Sequence, residues 1–359
     1  MPLRRAILTT FAVFLAVSSG GCKKLFHRAG DAGAGASAAS DDASALQQEA
    51  AQDEQIRAKL NNYVDCINGL SNPVLKSRDK LNSYFPNGTI TGKELFAEVP
   101  KLSPEAAPTC MLHVTMGRSL PPSNPVLEQS GMEFADAAAA TDELTKQMAA
   151  YLDARTYKKD KWAKGKDLYP QLVAAWTRFV AADNALHVAV AAVSQPLEER
   201  ALARIERQDG KKFLWHRKHT LLASRALMAA ADPIGNDKAV DLAAFTQSLA
   251  DFEKALEELN AYGNEHKADL SNPALSENHS VADANFRTFV NRATELKRSA
   301  THYGRCLKDA PEKAKRPDGK IDRSRVGVCA DGTVVWTRSD DLIAKFNQLI
   351  GAFNSLPFP

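Results

Sequence analysis

The chain lacks every short spacing from which a catalytic or cofactor site is usually read. It has no C-x-x-C pair, no G-x-S-x-G, H-E-x-x-H or G-x-G-x-x-G element, and no EF-hand loop. Thioredoxin-like redox sites, zinc ribbons, nucleophile-elbow hydrolases, zincins and dinucleotide-binding folds therefore have no support. Gly88 to Glu94 (GTITGKE) falls short of a phosphate loop. Three residues rather than four separate its glycines, and Glu94 stands where a magnesium-binding Ser or Thr is required. No cofactor and no metal are expected. Charge of one sign is not in excess either: 46 Lys+Arg face 43 Asp+Glu, a net charge of +3. So balanced a chain sets up no long-range field for a polyanion, which argues against a nucleic-acid partner. Aromatics are sparse at 7% of 359 residues, and the apolar share is rich in Ala, a strong helix former. With 44% hydrophobic and 25% charged residues, wholesale disorder is excluded.

Long apolar runs are missing as well. The run from Ala6 to Val17 follows Arg4 and Arg5 and has the length of a signal peptide, too short to span a bilayer. Small residues (Ser18-Ser19-Gly20-Gly21) and then Cys22 complete the pattern of a bacterial lipobox, although Ser19 occupies the position where Leu is usual. The expectation is cleavage after Gly21 and acylation of Cys22, which would anchor the chain to a membrane without a spanning helix. By resemblance to the sorting rule of Gram-negative lipoproteins, Lys23 rather than Asp at the second mature position favours the outer membrane, facing the periplasm, within the cell envelope. Residues 1–21 are thus read as the signal peptide and 22–46 as the acylated Cys with a flexible Ala/Gly/Ser tether. Residues 47–359 form the folded domain.

That domain reads as all-α, a bundle of long antiparallel helices with a small β-hairpin insertion near the C-terminus. Phe286, Phe289, Ala293, Leu296, Ala300, Tyr303 and Leu307 alternate in steps of 3 and 4. The same alternation runs through Leu242 to Leu259, through Leu172 to Val193 and through Leu342 to Leu356. It keeps one stripe facing a partner helix. Weaker patterns place helices over 54–84, with a break at Asn72-Pro73, over 126–157, and over 197–231, with a break at Asp209-Gly210. Residues 86–125 hold seven prolines and read as a long irregular connection. Asp331-Gly332 between Arg325–Cys329 and Thr333–Trp336 signals the hairpin.

Four cysteines remain in the body: Cys66, Cys110, Cys306 and Cys329. In an exported chain an even number reads as disulfides, with three pairings open. Cys66–Cys110 and Cys306–Cys329 are favoured, because each would pin an irregular segment to the helix before it. Asp183 interrupts an otherwise apolar stripe, and His187 follows one helical turn later, so the two can touch. A carboxylate orienting an imidazole occurs in hydrolytic sites and around metals. The competing reading is a buried polar pair that serves only the fold. His216 and His219 share an i, i+3 spacing beside Lys211, Lys212, Arg217 and Lys218, which reads as a solvated basic face rather than a metal site.

Three segments carry a resemblance: KLNNYVDCIN (59–68), YKKDKWAKGK (157–166), and LIAKFNQLIGAFN (342–354). In this order behind a lipoprotein leader, they resemble the YiiG-like family of bacterial lipoproteins, whose shared domain has no assigned function. The resemblance implies an exported, mostly helical, lipid-anchored protein and supplies no catalytic residues. The expected role is a non-enzymatic binding or scaffold module that meets an envelope protein. The rivals are a small-molecule or lipid-binding bundle and, behind it, a hydrolase using Asp183 and His187.

Overall fold

The computed structural model describes residues 36–85, 87–231, 239–267 and 279–356, without the side chains of 36–43 and 279–283. The leader and Cys22 lie outside the described residues. In chain order the helices are α1 (Ala36–Tyr84), α2 (Ala106–Ser119), α3 (Pro125–Asp153), the single turn α4 (Tyr157–Asp160), α5 (Ala163–Asp209) and α6 (Phe213–Ala231). Then come α7 (Leu242–Glu265), α8 (His279–Lys308), the single turn α9 (Arg323–Val326) and α10 (Val335–Asn354). A two-stranded antiparallel sheet pairs β1 (Ala239–Val240) with β2 (Ile321–Asp322), Val240 opposite Ile321. The all-α class with a small β element toward the C-terminus is the observed one.

Local chemistry explains most boundaries. Asn124 caps α3 by accepting a hydrogen bond from the Leu127 amide, and Pro125 begins the helix where no N–H is needed. Asp241 caps α7 on the amides of Ala243 and Ala244. Gly210, with φ +75°, ends α5 as expected.

Four expectations need correction. α1 runs unbroken through Pro73. The carbonyl left without a donor belongs to Gly69, which is exposed and can bond water, while Leu70, Ser71 and Val74 stay buried on the inner face. α1 also starts at Ala36, so the second half of the expected tether is helical. Helix α2 occupies part of the presumed irregular connection. The Asp-Gly turn is present, closed by the Cys329 amide donating to the Thr333 carbonyl at 2.7 Å. Its arms are shorter than expected, however: a single bridge joins Val328 to Val334, and Arg323–Val326 and Val335 onward are helical.

The described chain forms two compact units, residues 51–195 and residues 36–50 with 196–356. In the first, α1 supplies Leu60, Tyr63, Ile67 and Leu70, and α5 supplies Leu172, Phe179 and Leu186, all fully buried or nearly so. Phe134 of α3 meets Phe179 at a ring separation of 5.2 Å. Each such side chain contributes about 2–3 kcal/mol by leaving water. Lys59 is buried too; its ammonium donates to the Leu120 carbonyl (2.8 Å) and to Glu128 (2.6 Å). A second aromatic cluster stacks Trp162 on Tyr157, and the Trp162 indole N–H donates to the Glu94 carbonyl.

In the second unit α6, α7, α8 and α10 bury the stripes read from the sequence. All seven seam residues of α8 are buried, together with Phe245, Phe252, Leu256 and Leu259 of α7 and Leu342, Phe346 and Leu349 of α10. The Tyr303 hydroxyl donates to the Ala231 carbonyl at 3.2 Å.

Candidate functional site

Asp183 and His187 lie on the inner stripe of α5 and are 0% and 6% exposed. The His187 Nε2 is 3.6 Å from Asp183 Oδ1, one helical turn away as the spacing predicted. A third residue joins them: the Ser71 hydroxyl of α1, itself buried, donates to the same Asp183 oxygen. Sequence reasoning missed Ser71, because it sits in the Ser-Asn-Pro segment read as a helix stop. One signal was available, its position one turn beyond Ile67 on the buried face of α1.

The electrostatics of the group are those of a dry interior. Burial pushes the Asp183 carboxyl above the usual carboxylate range, and it pulls the His187 imidazole below its usual value. Both effects favour the neutral forms. Asp183 Oδ2 has no hydrogen-bond partner among the described residues. A hydrolytic triad needs the serine hydroxyl bonded to the imidazole that will take its proton. Here the hydroxyl points to the carboxylate, so the imidazole does not activate it. The near-zero exposure of all three also leaves no access for a substrate or ligand. The geometry is that of a polar clasp between α1 and α5.

The cysteines pair in the favoured way. Cys66 of α1 is bonded to Cys110 of α2, and Cys306 of α8 to Cys329 in the Asp-Gly turn. The second bond fixes a turn to the helix before it, as expected; the first fixes one helix to another. The bonds join positions 44 and 23 residues apart, and disulfides persist in oxidising compartments, which points away from the cytosol.

Residues 54–355 match the model of a family described as "Protein of unknown function (DUF3829)". The chain belongs to this family. It is also 22% identical over 304 residues to the uncharacterized protein YiiG of Escherichia coli (strain K12), covering 83% of this chain and 78% of that protein. No solved structure matches. The DUF3829 match encloses Ser71, Asp183, His187 and the four bonded cysteines, while Cys22 lies before it.

The basic segment near His216 differs from the expected solvated face of this DUF3829 chain. Trp215 and Arg217 are buried, and the Arg217 guanidinium lies over the Phe353 ring at 4.6 Å. Burial pulls its pKa down to about 10. Lys218 reaches the buried Glu198 at 3.0 Å. His219 stacks obliquely on Trp215 and His216 on Tyr262. Burial lowers the pKa of both imidazoles, with Glu258 acting against it. No group of three or more His, Cys, Asp or Glu suited to a metal is found among the described residues.

Gly88 to Glu94 is a turn closed by its own glutamate. The Glu94 carboxylate accepts from the Thr91 amide and hydroxyl and from the Gly92 amide, which occupies the groups a phosphate would use. A cleft of about 190 Å³ lies over the Cys66–Cys110 bond, lined by Asp65, Ser103, Glu105, Thr109 and His113. Among the described residues no helix is long and apolar enough to cross a membrane.

Proposed function

We propose that this DUF3829 chain is an exported, lipid-anchored, non-enzymatic binding or scaffold module of the cell envelope, held at the outer membrane and facing the periplasm. The carrying observation is the cysteine inventory. Four of five cysteines are consumed in two disulfides, and the fifth, Cys22, directly follows an apolar run and a small-residue cleavage site. Disulfides persist in oxidising compartments, where an exposed leftover thiol is a liability that acylation removes. Lys23 in place of Asp supports the outer membrane over the inner one.

The non-enzymatic part rests on the Ser71–Asp183–His187 group, whose hydroxyl is committed to the carboxylate away from solvent. Its natural partner is another envelope protein, since a tethered body meets its neighbours without having to diffuse to them.

Mass spectrometry of the protein isolated from its native membrane tests the anchor directly. The expected result is an amino-terminal peptide that begins at an acylated Cys22. An intact leader with unmodified Cys22 would overturn the reading. For the role, the expected outcome on a panel of ester, peptide and glycoside substrates is no turnover that Asp183→Asn removes.

A further inference from the structure

One surface of the second unit carries a charge pattern that neither the fold nor the proposed anchor uses. Helix α8 holds six Lys or Arg against two acidic residues, in a protein whose overall charge is nearly balanced. Part of that excess is gathered into a cleft of about 270 Å³ lined by Thr294, Lys297, Arg298, Thr301, His302 and Arg305. Thr294, Arg298, Thr301 and Arg305 follow one another at steps of 4, 3 and 4, so they form a single outward stripe, opposite the buried seam of the same helix. Lys297 and His302 flank the stripe on its two sides.

The chemistry of the cleft is one-sided. Its lining contains no carboxylate. The two threonine hydroxyls donate to carbonyls of their own helix, Thr294 to Val290 and Thr301 to Lys297, so they give a short, flat floor. The long cations rise around that floor. Lys297 is shared loosely with Glu253 and Glu257 of α7, at 3.7 and 3.9 Å. On the other side Arg338 of α10 lies 3.4 Å from His302 Nδ1, and its charge is already met by Asp331. Arg298 and Arg305 are exposed and have no acidic partner among the described residues. They stand two turns apart, about 10 Å along the axis, with only Thr301 between them. Each offers a planar fork that matches phosphate oxygens two at a time.

We propose that this cleft binds a phosphate-bearing anion, with Arg298 and Arg305 as its clamps and Lys297 as a supporting charge. The phosphate is either free in solution or carried by a phospholipid headgroup. The site does not depend on acylation of Cys22, so it can fail or stand independently of the proposed anchor.

Titration calorimetry on the full chain, kept in a nonionic detergent that carries no phosphate, tests the site. Two probes are used, inorganic phosphate and glycerophosphoglycerol, the deacylated headgroup of phosphatidylglycerol. Saturable binding of either supports the proposal. Preference for inorganic phosphate identifies a free anion, and preference for the other identifies a headgroup. Arg298→Gln with Arg305→Gln should weaken binding by about tenfold or more. Lys158→Gln with Lys159→Gln, exposed cations of the first unit, removes the same charge and should leave it unchanged. Thermal unfolding of both double variants checks that they fold. Binding that survives in the arginine variant, falls equally in the lysine variant, or is absent with both probes would overturn the proposal.

Discussion

Gly131 of α3 lies flat against the ring of Tyr63 of α1, so close that a methyl group on Gly131 would stand 2.4 Å from a ring carbon. A methyl group on Gly117 of α2 would stand 2.8 Å from another carbon of the same ring. Tyr63 is fully buried, its hydroxyl has no hydrogen-bond partner among the described residues, and burial pushes its pKa up to about 12. A ring enclosed in this way cannot step aside.

Gly131→Ala should therefore destabilise the protein by about 1–3 kcal/mol, although Ala is the better helix former. Gly351→Ala in α10 is the control, because among the described residues nothing lies within 4 Å of the added methyl group. It should stabilise by up to about 1 kcal/mol. Urea midpoints of the two variants should move in opposite directions.

The two disulfides should differ in worth. By loop length alone, Cys66–Cys110 stabilises by about 4 kcal/mol and Cys306–Cys329 by about 3 kcal/mol. Paired Cys→Ala variants, unfolded with denaturant under oxidising conditions, should lose stability in that order. Equal midpoints for variant and parent would mean that the loops stay constrained without the bonds.

Asp183→Asn keeps an acceptor for the Ser71 hydroxyl and removes the ionisable group. Because the folded pKa of Asp183 is raised, the carboxyl adds most stability below its unfolded value of about 3.9. That contribution is lost as the pH rises through the folded value. The deficit of Asp183→Asn relative to the parent should thus be largest in acid and shrink toward neutral pH. His187, whose pKa is lowered, acts in the other direction in both proteins, with stability falling as the pH drops below about 6.5. Denaturant midpoints measured across the acid range should show the narrowing gap.

Lys59→Met should cost about 3 kcal/mol, since it leaves the Leu120 carbonyl without its donor and Glu128 without its cation. The Lys59 bond, helped by the Asn124 amide, holds the Glu128 carboxyl below the usual range. The stability tied to Glu128 is therefore present above about pH 4.3 and lost as the pH falls through the lowered value. In Lys59→Met that acid-induced loss should be smaller when followed by circular dichroism.

The long helices were legible because their stripes are built from large residues. Phe286, Phe289, Leu296 and Leu307 mark the buried face of α8 unmistakably. Helix α2 was not legible, although its buried residues Ala107, Cys110, Val114 and Gly117 follow the same rhythm. They are small, while Leu112 and Met116 face solvent, so the pattern is masked by size. Pro73 misled because a local rule was applied where packing on the opposite face of α1 decides. Arg217 misled because charge was read as exposure, whereas its guanidinium covers Phe353. Asp183 and His187 were found as a pair, but their third member comes from a distant helix, and only the fold brings Ser71 to them.

Along the chain each bonded cysteine is joined to the very next one, Cys66 to Cys110 and Cys306 to Cys329. On the proposed export, an oxidase acting on the chain as it emerges, amino end first, would meet them in the order in which they must be linked. Maturation can then proceed without reshuffling by an isomerase. An unmodified Cys22 would arrive first and compete for Cys66, so the proposed acylation, if made early, would also protect the correct partnership.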